Sequence, residues 1–283
     1  MVMHGTQVAL ASEPGDPGRP NEDFASVATP ADGTGGALVV LDGVTPPDGD
    51  DGCRHGVPWF VARLGTELLG AAARDRGTDL AECLVQAIER TAQAHRHTCD
   101  LSHPRTPQAT AVVCRWDDRT VDHLVLCDSA LLIATPGGDV VPVLDTALDG
   151  ARAVARGAPR GQRAARLEAL RNAPGGFHTA AADPAVAGHA VRGSHPREQV
   201  AGMAALTDGV GRWAEVFGLG DWAALHALLA GAGPAAAVAA VRAAELADPD
   251  GASHPRGKRH DDATAVLVTL PARGQARHVA PVD

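Results

Sequence analysis

The chain is poor in aromatic residues: it has four Trp, four Phe and no Tyr in 283 residues. Its core must therefore be built mainly from Ala, Val and Leu. Hydrophobic residues still make up 45% of the sequence, which is ample for a sizeable core and argues against global disorder. The apolar runs are short, and none approaches the roughly 18 residues that a membrane helix needs. The N-terminus also lacks the basic start and long apolar stretch of a signal peptide.

Positive charge is also in short supply, since the formal net charge is −9. This balance disfavours nucleic acid or an anionic membrane as a partner and is compatible with a site that holds cations. The five cysteines are scattered and form no CxxC pair. We interpret them as reduced thiols of a soluble, cytoplasmic protein, and not as a disulfide or zinc framework.

One short segment, HRHTC at 95–99, contains side chains that commonly bind metals. His95 and His97 are two residues apart, however, and positions i and i+2 do not share a helical face. We therefore predict a solvated helix end at this segment.

The apolar pattern predicts strands and helices in an irregular order. Because regular βαβ alternation is missing, it indicates an α+β protein with helices packed outside antiparallel sheets. We expect a single domain over 1–272 and a flexible C-terminal tail over 273–283. The predicted strands are 7–11, 24–28, 36–42, 109–116, 122–128, 130–136, 139–145, about 186–192, 200–208 and 263–270, and the predicted helices are 57–75, 80–98, about 160–171, 221–230 and 234–247.

Aspartates stand at the ends of several predicted strands. Asp42, Asp128 and Asp208 each close a strand, Asp261 opens the last one, and Asp23 directly precedes another. Neighbouring strand ends lie about 5 Å apart, so such carboxylates converge and repel one another unless cations compensate them. Hard divalent ions prefer oxygen ligands and supply that compensation. Any one of these aspartates alone is more typical of an ordinary turn than of a metal site.

In chain order, the segments NEDF, VVLDGV, TPQATAVVC, LVLCDSALLI, AALTDGV and HDDATAVLV resemble the motifs of the metal-dependent protein phosphatases of the type 2C class. The resemblance extends from about residue 21 to residue 268. It implies a four-layer αββα sandwich, in which two antiparallel sheets are flanked by helices. It also implies two Mn²⁺ or Mg²⁺ ions and possibly a third, and hydrolysis by a water activated between the first two.

The resemblance implies a role for each aspartate that stands at a strand end in this sequence. Asp42 would bridge two metals, one of which the Gly43 carbonyl would also bind, while Asp208 and Asp261 would complete the shell of the other. Asp128, with Asp208, matches the position of the weaker third metal. The full implied ligand set is Asp23, which would act through metal-bound waters, with Asp42, Gly43, Asp128, Asp208 and Asp261.

The sequence departs from the family pattern around the phosphate. The arginine expected three residues before the NED triplet is replaced by Gly18, and Arg19 lies one residue closer to it. Arg19 is either the phosphate-binding arginine or a solvated turn residue. His55, in the rebuilt acidic loop, is either the general acid for the leaving alcohol or a solvated loop histidine. Lys258 and Arg259 either bind the phosphate or balance the neighbouring acids.

Two functions are consistent with these features. The first is a phosphoric monoester hydrolase that acts on phospho-Ser/Thr proteins or on a small phosphorylated metabolite. The second is a non-catalytic regulatory or binding module that retains the fold.

Overall fold

The computed structural model describes residues 5–31, 33, 35–47 and 49–272, and within them two antiparallel five-stranded sheets form the centre. One sheet has the order β1-β10-β9-β6-β7 and the other the order β2-β3-β4-β5-β8. The strands are β1 Gln7–Glu13, β2 Asp23–Ala28, β3 Gly36–Asp42, β4 Ala111–Trp116, β5 Thr120–Leu126, β6 Ala130–Ala134, β7 Val140–Leu144, β8 Val191–Pro196, β9 Gly202–Leu206 and β10 Ala263–Thr269.

The described part of the chain contains seven α-helices. They are α1 Gly56–Arg74, α2 Leu80–His95, α3 Ala147–Arg156, α4 Arg163–Glu168, α5 Asp208–Glu215, α6 Trp222–Ala232 and α7 Pro234–Ala247. Among the described residues, no helix is both long and apolar enough to cross a membrane. The predicted tail, 273–283, lies outside the described residues, and the single domain over 1–272 stays a prediction.

Strand β3 shows how an alternating pattern builds the layers. Its even and odd residues point to opposite faces, as strand geometry dictates. Ala37, Val39 and Leu41 pack among the residues of α1 and α2. Leu38 and Val40 pack instead against the strands of the other sheet. All five are fully buried, so β3 reads as a continuous apolar run.

The second sheet is covered in the same way on its outer face. Leu132 and Leu206 lie in one cluster with Leu225 and Leu229 of α6 and Val238 of α7. Helices, two sheets and helices therefore form four layers. The predicted αββα sandwich is confirmed.

Several predicted elements differ from the structure. The predicted strand at 186–192 is wrong over its first part, because 184–189 forms a 3₁₀ turn and β8 begins at Val191. The helix predicted at about 160–171 is α-helical over 163–168 alone. Helices α3 and α5 were not predicted. Helix α5 has only eight residues and contains two glycines, so its sequence gives little helical signal.

Candidate active site

The predicted aspartates lie together at one edge of the two sheets. Asp23 and Asp42 are direct partners in the register of β2 and β3. The pKa of Asp42 is raised well above its ordinary value, first by burial and then by the carboxylates of Asp208, Asp23, Asp128 and Asp261. Five carboxylates from five strand ends therefore act on one another across a short range.

A threonine pair joins the two sheets at this edge. Thr264 donates its backbone N–H to the Thr207 hydroxyl at 3.0 Å, and that hydroxyl donates to Asp23 Oδ2 at 3.0 Å. Both threonines are fully buried. Because Thr207 precedes Asp208 and belongs to the sheet opposite Asp23, it fixes the two aspartates relative to each other. No local pattern indicates this role, since a threonine before Asp-Gly is common at the end of a strand.

The carboxylates of Asp23 and Asp208 lack sufficient compensation from the chain. Burial, together with Asp262 and Asp208, raises the pKa of Asp23 to about 8 despite hydrogen bonds from Thr264 and Thr207. Burial, with Asp128 and Asp261, raises the pKa of Asp208 to about 7 although Arg212 and a hydrogen bond with Asp42 lower it. Asp23 Oδ1 is buried and has no hydrogen-bond partner among the described residues. Such an oxygen favours an external cation.

Gly43 allows the close backbone approach beside Asp42. A Cβ atom at this position would overlap the Glu22 carbonyl oxygen and Val57 Cγ1. The Gly43 N–H donates to that same carbonyl at 3.0 Å. A larger residue here would push β2 away from the end of β3, so the glycine keeps Asp23 and Asp42 side by side. Its role as a carbonyl ligand stays a prediction.

The adjacent acids Asp261 and Asp262 have different partners. Asp262 accepts backbone N–H groups from Gly15 at 2.7 Å and from Glu22 at 2.6 Å, so it closes the loop between β1 and β2. Asp261 accepts from Arg212 Nη2 at 2.6 Å and from Lys258 Nζ at 2.7 Å. Asp261 faces the carboxylate cluster, and Asp262 holds the loop between β1 and β2 in place.

The five acids therefore do not fit metal ions equally well. Asp23, Asp42 and Asp208 form a set that a divalent ion would compensate. Both oxygens of Asp261 already accept from cationic side chains, and Asp128 Oδ2 lies 3.2 Å from Arg152 Nη2. An ion at Asp261 or Asp128 would have to share these oxygens through their second lone pairs or displace the cations. The residues fit at least one ion, centred on Asp42.

The three predicted phosphate-binding cations occupy different positions. Lys258 Nζ also donates to Thr45 Oγ1 at 3.0 Å. Burial lowers the pKa of Lys258, but Asp261, Asp42 and Asp208 outweigh that effect and raise it, which places the ammonium in the field of the cluster. Arg19 is exposed in the loop between β1 and β2, and Arg259 is exposed beside Lys258.

His55 lies at the start of α1 and faces α2. Its ring stacks on Trp59 with centroids 4.3 Å apart, and its Nε2 lies 3.3 Å from Thr98 Oγ1. Its role as a general acid stays a prediction, and in this structure its ring contacts are to helix residues instead of to the carboxylates.

The HRHTC segment is a solvated helix end only in part, since Arg96, His97 and Thr98 are exposed after the end of α2 and His95 is buried. His95 is 2% exposed, and its Nδ1 lies 3.7 Å from Cys53 Sγ, which in turn lies 3.2 Å from Cys99 Sγ. The spacing of His95 and His97 does not indicate this cluster, because Cys99 is four residues from His95 and Cys53 comes from a distant loop. Only the i, i+4 spacing of His95 and Cys99 signals part of it.

Arg212 is the central cation of the site and should contribute to stability. It joins Asp261 to Glu245, which is fully buried and lies 2.8 Å away. We expect Arg212→Met to lower the free energy of unfolding by about 2 kcal/mol, because Glu245 and Asp261 each lose a charged hydrogen-bond partner, while Arg242 and Lys258 remain. Urea unfolding measures the change. Arg152→Met is the matched control, since Arg152 is 43% exposed and should cost less than about 1 kcal/mol. Equal losses in the two variants would contradict this assignment.

No protein-family model matches the chain, and no curated protein matches it in sequence. Solved structures do match in fold. The serine/threonine phosphatase Stp1 from Staphylococcus aureus has a TM-score of 0.62 at 11% identity, with 95% of this chain and 96% of that chain covered. The serine/threonine phosphatase of S. agalactiae has a TM-score of 0.61 at 15% identity, with 94% and 100% covered.

A third similar structure is described as PppA, a key regulatory component of T6SS in Pseudomonas aeruginosa. Its TM-score is 0.54 at 16% identity, with 94% of this chain and 98% of that chain covered. Identities this low establish the architecture and leave the chemistry to be argued from the residues. The chain has the fold of the bacterial type 2C-like serine/threonine phosphatases.

Proposed function

We propose that this chain is a metal-dependent phosphatase that hydrolyses phosphate monoesters, with Mn²⁺ or Mg²⁺ held by Asp42 and Asp208 and with Asp23 acting through metal-bound water. The observation that carries the proposal is the convergence of carboxylates on Asp42, with Asp23 Oδ1 left without a partner. The proposed substrate is a phospho-Ser/Thr protein or a small phosphorylated metabolite. A cytoplasmic location is part of the same proposal.

The side chains around the cluster have distinct tasks in this proposal. When bound, the metal lowers the pKa of a water and stabilises charge on the phosphoryl oxygens. Asp42 and Asp208 position the ion, and Asp23 orients solvent with its free oxygen. Lys258, Arg19 and Arg259 are the proposed cations for the phosphate, and of these Lys258 lies in contact with the cluster through Asp261. Gly43, Asp128 and Asp261 remain proposed ligands. The ion would share the carboxylate of Asp128 with Arg152, and that of Asp261 with Arg212 and Lys258.

The test is hydrolysis of a generic aryl phosphate by the purified protein with Mn²⁺, Mg²⁺ or EDTA. We expect metal-dependent turnover that EDTA removes and that falls by on the order of 10³-fold in Asp208→Asn, because the variant removes a central carboxylate. Turnover that continues in EDTA would overturn the proposal.

A non-catalytic regulatory module is the second candidate. The observation that favours it is the pairing of Asp261 with Arg212 and Lys258, which neutralises one acid of the cluster without a metal. The two candidates differ in one outcome. Folded protein that hydrolyses neither an aryl phosphate nor phosphopeptides would favour the module, whether or not it binds Mn²⁺.

A further inference from the structure

A second cluster of metal-type side chains lies away from the carboxylates, between the loop that precedes α1 and the end of α2. It consists of Cys53, His95 and Cys99, whose ligand atoms all lie within 4.8 Å of one another. Cys53 comes from the loop, His95 is the last residue of α2, and Cys99 follows one turn later. The site uses thiol and imidazole groups, whereas the candidate active site uses carboxylates.

We propose that Cys53, His95 and Cys99 form a binding site for a borderline-soft divalent cation of the Zn²⁺ class, with the fourth position open to solvent. Thiolate and imidazole ligands select Zn²⁺ over Mg²⁺ and Mn²⁺, which prefer oxygen. The site is therefore chemically distinct from the one centred on Asp42.

The distance from Cys53 to His95 matches a tetrahedral ion, and the two sulfurs lie closer together than such an ion requires. Zn–S and Zn–N bonds of about 2.3 and 2.0 Å at tetrahedral angles place two sulfurs about 3.8 Å apart and a sulfur and nitrogen about 3.6 Å apart. The sulfurs of Cys53 and Cys99 lie 3.2 Å apart, and Cys53 Sγ lies 3.7 Å from His95 Nδ1. Small shifts of a loop cysteine would bring all three atoms onto one ion.

The cluster cysteines are accessible to an external ion. Cys83, Cys114 and Cys127 are buried elsewhere, so the two cluster cysteines are the partly exposed ones.

The position of the site gives it a consequence for the fold. The Asp100 N–H already donates to the Gly52 carbonyl at 2.8 Å, so the loop before α1 rests on the segment after α2. An ion at Cys53 would fix this contact. The same loop begins at Gly43 and includes Thr45, which accepts from Lys258. The cation would thus brace the loop that borders the candidate active site.

Cobalt substitution tests the site on the full chain, purified under reducing conditions. We expect Co²⁺ to produce a thiolate-to-metal charge-transfer band, which oxygen ligands at the carboxylate cluster cannot produce. Zn²⁺ retained after desalting should be lost from the cluster in Cys53→Ser and in Cys99→Ser, and the cobalt band should disappear in both. His97→Gln is the matched control and should keep the band, because His97 is adjacent in sequence and lies outside the cluster.

His95→Gln provides a second variant if a serine variant does not fold, and circular dichroism checks folding in each case. A band that survives in the folded Cys53→Ser and Cys99→Ser variants would overturn the proposal. So would the absence of any band in reduced, folded wild-type protein. The proposal would also be overturned if the purified protein contained a Cys53–Cys99 disulfide, seen as a lower intact mass, and bound no Co²⁺ once that disulfide was reduced.

Discussion

Replacing Asp42 by Asn should have opposite effects on activity and on the stability of the metal-free protein. We expect metal-dependent hydrolysis to fall by on the order of 10³-fold or more, since Asp42 is the carboxylate on which the others converge. The metal-free variant should be more stable than the wild type by on the order of 1–2 kcal/mol at pH 8, because one member of a group of mutually repelling, half-buried carboxylates is gone.

Three measurements separate this from general damage to the fold. They are initial rates with Mn²⁺, urea unfolding in EDTA, and the shift in unfolding midpoint when Mn²⁺ is added. Asp139→Asn is the matched control, because Asp139 is exposed in the turn between β6 and β7. It should leave all three unchanged. If Asp42→Asn loses activity and is also less stable in EDTA, then Asp42 stabilises the metal-free fold. This result would contradict a net repulsion between Asp42 and the other carboxylates.

The stability of the metal-free protein should fall as the pH rises toward 8. In the folded protein the pKa is about 8 for Asp23 and about 7 for Asp208, against an ordinary value of 3.8. Between the ordinary pKa of 3.8 and these raised values, the folded state binds more protons than the unfolded state. The free energy of unfolding therefore decreases as the pH rises through this range. The contribution is fully present below about pH 4 and is lost as the pH passes through the folded-state pKa values.

Asp23 and Asp208 titrate in the window from about pH 6.5 to 8.5, and so does Glu215, whose pKa burial raises to about 7. The comparison with Asp208→Asn separates the part of the loss that is due to Asp208. Burial lowers the pKa of His123 to about 4, so that group weakens the fold only at lower pH, where the unfolded state binds its proton. We expect a loss of on the order of 2 kcal/mol across the window in EDTA, and a smaller loss in Asp208→Asn. Urea unfolding at several pH values measures it.

Added Mn²⁺ should reverse this trend, because an ion displaces the protons and binds more tightly as the carboxylates ionise. Stability in EDTA that stays level or rises over the same window would contradict the placement of these carboxylates.

The sequence predicts the strands well and the loops poorly, and β3 shows why. Its alternating side chains are all apolar and fully buried, so the run from Gly36 to Asp42 is recognisable without tertiary information. Helix α5 gives no such signal. It begins at Asp208 itself, and what holds it is tertiary: Gly209 packs so closely on the Asp262 carbonyl that a Cβ atom would overlap it.

The candidate site was predictable only in part for a similar reason. The ordered aspartates at strand ends can be read from the chain, because a sheet brings strand ends together. Their partners cannot. Arg212 lies 49 positions from Asp261, and Cys53 lies 42 positions from His95. Nothing in the local sequence around Asp261 indicates that a guanidinium and an ammonium occupy both of its oxygens.

The most direct test of the account is whether the carboxylates centred on Asp42 bind a divalent cation. Electron paramagnetic resonance of Mn²⁺ titrated with the folded protein measures this binding without requiring a substrate. We expect the signal of free Mn²⁺ to decrease saturably with the wild type and with Asp139→Asn, and to be retained with Asp42→Asn. A free Mn²⁺ signal that folded wild-type protein leaves unchanged would contradict it.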